Sequence, residues 1–219
     1  ACISMLLCPW ILDEYGPRVG FGVPAAFMIL AVIAFRLGKY KFVHIPRGGV
    51  EFVRETFSGE GIKAIAKLCI IYVFVAMFWA LFDQTGSAWV LQAQHMDRTL
   101  FGVEVLPAQI QAANPLLVML LIPLFAYYIY PLINRYWTLT ELRKIGAGLF
   151  VTVLAFAIPT WVQVQIDSGA TPSIAWQLLA YVVLTSAEVM VAITCLEFSY
   201  TQAPRRMKSF VMAFFMMSI

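Results

Sequence analysis

The chain is poor in charge: Asp, Glu, Lys and Arg make up 12% of its 219 residues, while 62% are hydrophobic. A soluble domain carries about a quarter charged and roughly half apolar residues. A water-soluble fold of this length cannot hide so much apolar surface, and a mean hydropathy of +0.83 points to lipid as the solvent. Histidine is nearly absent, with only His44 and His95, each alone in a polar stretch. The four cysteines, Cys2, Cys8, Cys69 and Cys195, lie in apolar runs without a Cys-x-x-Cys pair or a Cys/His cluster. They read as small packing groups, and no metal site is expected. A nucleophile triad, a phosphate loop and a zinc motif are all missing, and Gly48-Gly49 is too little for nucleotide binding. The expectation is therefore a non-enzyme without cofactor. Lys and Arg (15) outnumber Asp and Glu (12), but they are spread between apolar runs rather than gathered on one surface, which excludes nucleic acid as a partner.

What is present is a series of long apolar segments. A helix needs about 20 residues to cross the hydrocarbon core. Five complete spans are predicted, at 19–38, 68–91, 113–133, 145–164 and 174–197. All are expected to be helical, because backbone groups in lipid must be satisfied within the segment and no alternating strand pattern occurs. The fold class is all-α, a polytopic membrane helical bundle. Two shorter apolar runs, Cys2 to Leu12 and Phe210 to Ile219, are expected to be pieces of helices that continue beyond the chain. The organisation reads as 1–38 (the tail of one helix and one complete span), a polar linker 39–67, and a bundle 68–219.

The loops predict orientation. Lys39, Lys41, Arg47, Arg54, Lys63 and Lys67 fill the linker. Arg135, Arg143 and Lys144 follow the third span, and Arg205, Arg206 and Lys208 follow the fifth. The opposite loops hold only Arg18 and Arg98. Lys/Arg-rich loops stay cytoplasmic, so 39–67 and 198–208 are predicted on that side of a cell (inner) membrane. Pro24, Gly86, Pro115, Pro123, Pro131 and Pro159 interrupt the spans, and proline bends a membrane helix by removing a hydrogen bond.

Ionisable groups deep in a span are functional candidates. Asp83 lies about 15 residues, or roughly 22 Å, from the cytoplasmic start of its helix, in the outer half. Glu188 lies about 14 residues from the outer start of its own helix, near the middle. Such carboxyls suit a proton relay or a cation site. The bland alternatives are a buried hydrogen bond to a neighbouring helix for Glu188, and local satisfaction by Gln84 and Ser87 for Asp83. Glu197 reads as a headgroup-level residue. Trp79 precedes Asp83 by four positions and shares its helical face. Asn114, beside Pro115, either binds a ligand or caps its helix. Tyr127, Tyr128 and Tyr130 read as an interfacial belt.

Three blocks carry a resemblance: Phe78-Trp79-Ala80-Leu81-Phe82-Asp83-Gln84-Thr85-Gly86-Ser87, Gln111-Ala112-Ala113-Asn114-Pro115, and Glu188 with Leu196-Glu197-Phe198-Ser199-Tyr200-Thr201-Gln202-Ala203-Pro204. With these the chain resembles the proton-dependent oligopeptide transporter family of the major facilitator superfamily, from about Pro9 onward. The resemblance implies the end of helix five to the start of helix eleven of a twelve-helix fold, mostly its C-terminal half. It implies a symporter that imports di- and tripeptides by alternating access, with protons as the coupling ion. The other readings are a family member moving an amino acid or nitrate, and a non-transporting membrane scaffold. It implies that Trp79 lines the peptide pocket and that Asn114 and Glu188 receive the peptide amino group. Asp83 would belong to the outer gate, with Glu188 sharing in proton coupling. The partners implied are small peptides, protons, the bilayer and the N-terminal half of the same protein.

The family's Glu-x-x-Glu-Arg-Phe-x-Tyr-Tyr motif and its helix-four lysine lie outside this sequence. Its Glu-x-x-x-Ser pattern reads Glu188 to Ala192 here, and its helix-eleven tryptophan falls at Phe215.

Overall fold

The computed structural model describes residues 2–41, 49, 57–100, 102–203 and 207–219. Most of the linker, with His44, Arg47, Gly48 and Arg54, lies outside the described residues, as do Pro204, Arg205 and Arg206. Helix α1 (Cys2–Gly38) leaves helical geometry at Gly16, at φ 76° and ψ 177°. That conformation is open in practice only to glycine, and Pro17 behind it is pre-set to begin a new helix. The break yields the predicted pair, a short helix over 2–15 and a separate span over 17–38.

Helix α2 (Gly59–Phe82) starts earlier than expected and takes in the end of the polar linker. The second span is then interrupted by a 3₁₀ turn, Asp83–Gly86, before α3 (Ala88–Ala93) resumes it. Five residues in a row there (Asp83-Gln84-Thr85-Gly86-Ser87) are polar or glycine. Irregular backbone at membrane depth survives only where protein buries it or where it lines a cavity.

Between the second and third spans, β1 (Thr99–Leu100) and β2 (Val103–Glu104) form a short antiparallel hairpin. Asp97 ties the hairpin to the loop between the fourth and fifth spans: its N–H donates to the Pro172 carbonyl at 3.0 Å, and its carbonyl accepts from the Ile174 N–H at 2.9 Å. Arg98 bridges to Glu104 at 2.6 Å, the only ion pair among the described residues.

The third span comprises α4 (Ala113–Leu124), a π-turn at Phe125–Ile129 and α5 (Tyr130–Tyr136). Pro131 has no N–H to offer the Tyr127 carbonyl and its ring crowds that group, which the wider turn accommodates. Helix α6 (Glu141–Asp167) is unbroken despite Pro159. The Pro159 carbonyl accepts from Gln92 Nε2 at 2.9 Å, so a side chain from α3 helps satisfy this backbone.

The fifth span comprises α7 (Ala175–Glu188), a second π-turn at Val189–Ile193, and α8 (Thr194–Gln202). Helix α9 (Lys208–Met217) closes the described chain. By length and composition, the five helices able to cross a membrane are Ser4–Lys41, Ile65–Ala93, Gln109–Tyr136, Glu141–Asp167 and Ala175–Gln202.

The fifth span is the centre of the packing. In its most apolar stretch 56% is buried, against 33% or less in the other four. Helix α6 lies along α7, and Gly148 sets how close it comes. A Cβ at Gly148 would stand 2.6 Å from Val191 Cγ2, 2.9 Å from Met190 Cβ and 3.2 Å from the Ala187 carbonyl. One core cluster joins Tyr72, Val75, Phe78, Ala187, Val191, Cys195 and Phe215; another, towards the hairpin end of the bundle, joins Trp89, Ile110, Ala155, Val162, Tyr181 and Leu184. Phe215 is buried edge-on to Tyr72, with ring centroids 6.0 Å apart. The side chain of Cys2 lies outside those described. Among the other cysteines, Cys195 packs as a buried thiol, whereas Cys8 and Cys69 are half-buried, which corrects the reading of these two as buried packing groups. Their stretches belong to spans whose outer faces expose many large apolar groups, so lipid rather than protein covers them.

Candidate functional site

The broken second span meets the start of the third across a recess of about 170 Å³, lined by Asp83, Thr85, Gly86, Gln111, Asn114 and Tyr181 among others. Tyr181 is 1% exposed, and its hydroxyl donates to the Thr85 carbonyl at 3.4 Å. One oxygen freed by the 3₁₀ break thereby finds a partner from α7. Asp83 is exposed at this recess. Gln84 and Ser87 do not satisfy it: Ser87 Oγ donates to Gln84 Oε1 at 3.4 Å, and Gln84 Nε2 donates to the Ala80 carbonyl at 3.4 Å.

Asn114 links the recess to the fifth span. Its Nδ2 donates to Glu188 Oε2 at 2.6 Å and to Thr185 Oγ1 at 3.2 Å. Glu188 is half-buried and sits directly before the π-turn Val189–Ile193, a distortion often found at functional positions. The turn contains no proline, and two of its residues, Met190 and Val191, lie against Gly148 of α6. Among the described residues neither Asp83 nor Glu188 has a cationic partner. The arrangement sets one carboxyl, hydrogen-bonded by an amide, near a recess that a second carboxyl lines.

Of the four residues singled out in the sequence, Asp83 and Asn114 share the recess and Glu188 joins through Asn114. Trp79 does not line it. Trp79 is half-buried between Phe78 and Phe82, at centroid distances of 5.6 Å and 5.3 Å, and its indole N–H is buried without a partner. The helix is regular through Phe82 and the 3₁₀ turn begins only at Asp83, so Trp79 keeps its four-residue spacing to Asp83 but is held in the aromatic stack rather than at the recess. Thr185 was missed by sequence reasoning. Its signal was the three-residue spacing to Glu188, which places hydroxyl and carboxyl on one face of α7.

Towards the other end of the bundle, Glu197 is exposed and shares a recess of about 490 Å³ with Asn134, Lys144 and Thr194. Lys144 lies 4.7 Å from the centre of the Tyr130 ring. Tyr127 and Tyr128 are exposed, but Tyr130 is half-buried and packs against a core cluster with its hydroxyl buried, which takes it out of the predicted interfacial group.

Apolar helices of spanning length, two of them broken or widened where polar side chains meet, define a multi-pass membrane protein with a site in its bundle. The family model described as POT family matches residues 1–58 and 50–219, and the chain belongs to that family. It is 31% identical over 184 residues to solute carrier family 15 member 1 of Mus musculus, which covers 68% of this chain and 26% of the mouse protein. It is 30% identical over 184 residues to peptide transporter family 1 of Drosophila melanogaster, covering 69% of this chain and 25% of the fly protein. The solved POT family transporter PepTSo superposes with a TM-score of 0.87 at 30% identity, covering 99% of this chain and 57% of that one. The chain thus spans about a quarter of these curated relatives and just over half of the solved transporter.

Proposed function

We propose that this chain forms the C-terminal wall of a proton-coupled symporter that imports di- and tripeptides by alternating access. The observation that carries the proposal is the Asn114–Glu188 pair at 2.6 Å, set beside the broken, Asp83-bearing stretch of the second span. A carboxylate held in a membrane bundle attracts either a proton or an ammonium group, and the two compete for the same oxygens. A peptide amino terminus supplies the ammonium group. Similarity to a fly protein named as a peptide transporter supports the same solute class.

In this reading Glu188 and Asn114 receive the amino terminus, Asp83 belongs to the outer gate, and Glu188 also takes part in proton coupling. Trp79 joins the pocket only if it turns out of its stack between Phe78 and Phe82. The N-terminal half of the same protein supplies the opposing wall, and the cell (inner) membrane holds the whole, with 39–67 and 198–208 on the cytoplasmic side. The test is competition: the full-length protein in proteoliposomes is given labelled Ala-Ala with excess unlabelled alanine, nitrate or a second dipeptide. The proposal expects displacement by the dipeptide alone. Displacement by alanine or nitrate but not by dipeptide would transfer the assignment to another solute.

A further inference from the structure

A primary amide nitrogen carries two hydrogens. In Asn114 both are committed inside the wall, one to Glu188 Oε2 at 2.6 Å and one to Thr185 Oγ1 at 3.2 Å. The carbonyl oxygen Oδ1 must then point away from both acceptors, and among the described residues no donor engages it. The alternative amide orientation would set Oδ1 against a carboxylate oxygen at 2.6 Å. Asparagine χ2 is broad and does not fix the amide by itself. Thr185 supplies what is missing: it is 0% exposed, one helical turn before Glu188, and its hydroxyl catches the second hydrogen.

We infer that Thr185 is a positioning residue for solute recognition, because its hydroxyl locks the Asn114 amide so that Asn114 Oδ1 and the free Glu188 oxygen together face an ammonium group as acceptors. This rests on the reading of the site as one that binds a peptide amino group. At this pair the two oxygens left to the solute are both acceptors, so the same lock disfavours a blocked amine there, whose carbonyl needs a donor.

The experiment compares Thr185→Val, of nearly the same shape without the hydroxyl, with Thr185→Ser, which keeps it. Both are made in the full-length protein in proteoliposomes, with Ala-Ala as solute and N-acetyl-Ala-Ala as competitor. Thr185→Val should raise KM for Ala-Ala roughly five-fold, the size of one neutral hydrogen bond, with kcat little changed. Inhibition by N-acetyl-Ala-Ala should not move, and Thr185→Ser should restore KM. Solvent exchange of the Asn114 side-chain amide protons, read by ¹⁵N-asparagine labelling, should be slow in the wild type and the serine variant and several-fold faster in the valine variant.

A wild-type KM together with slow amide exchange in Thr185→Val would overturn the inference. So would an equal loss of both peptides, or a loss that serine does not rescue. Should the wild type fail to discriminate against N-acetylation, the amino-group reading falls. Faster amide exchange in Thr185→Val would still sustain the lock on Asn114, because that readout needs no solute. If the valine variant does not fold, Thr185→Ala against Thr185→Ser makes the same comparison.

Discussion

Replacing Glu188 with Gln tests the solute site at its centre. The substitution keeps length and shape, and the new side-chain oxygen can still accept from Asn114 Nδ2, which reaches Glu188 Oε2 at 2.6 Å in the native chain. Packing behind the residue is unchanged, since Ala187 and Val189 on either side carry the burial. What disappears is the negative charge. A hydrogen bond to a charged group contributes about 1.5–3 kcal/mol against roughly 1 kcal/mol for a neutral one. The solute ammonium should therefore lose on the order of 1–2 kcal/mol or more, an affinity decrease of about ten-fold. Titration calorimetry of the full-length protein in detergent, with a dipeptide as ligand, reads this directly. N-acetylated dipeptide serves as the control that should not respond. A folded Glu188→Gln protein that binds the dipeptide with unchanged affinity would refute the role given to this carboxyl.

Gly148→Ala should destabilise the bundle, because the added carbon would stand 2.6 Å from Val191 Cγ2 and 3.2 Å from the Ala187 carbonyl; overpacking of this kind costs about 1–3 kcal/mol, read as a lower thermal midpoint in detergent. Asp97 lies outside the spans, and hydrogen bonds from the Thr99 side chain and N–H hold its carboxyl below the usual carboxylate range. A depressed pKa contributes order that is complete above the ordinary value of 3.8 and fades as pH falls through the lower folded value. Protection of the Thr99 amide, corrected for intrinsic exchange, should accordingly be flat from neutral pH down to that region and drop only below it. Cysteines introduced into 39–67 and 198–208 should react with an impermeant maleimide only from the cytoplasmic side; labelling of either from outside would reverse the orientation.

The spans were legible because lipid imposes a length and a composition that no soluble element shares; the sequence separated the run Cys2–Leu12 from the span 19–38, and the structure puts the break between them at Gly16. Less legible were departures within spans. The second span reads in the sequence as one continuous helix, with Gln84 and Ser87 as candidate partners of Asp83, but the chain tightens there into a 3₁₀ turn and those two side chains bond elsewhere. The π-turn at Phe125–Ile129 has a local cause in Pro131, whereas that at Val189–Ile193 contains no proline and lies against Gly148 of another helix. Nothing in its own residues signals it. At the site, Asn114 and Glu188 were each conspicuous as polar groups in apolar helices. Their direct bond, and the share of Thr185 in it, depend on two helices whose relative register the sequence does not state.

The central claim is that this chain belongs to a transporter in which a proton gradient drives dipeptides across the membrane. Uptake of a labelled dipeptide by the full-length protein in proteoliposomes, with and without an imposed inward proton gradient, tests it most directly. The account predicts accumulation above the external concentration only with the gradient present, abolished by a protonophore. Equal uptake with and without the gradient, or no dipeptide uptake under either condition, would contradict it.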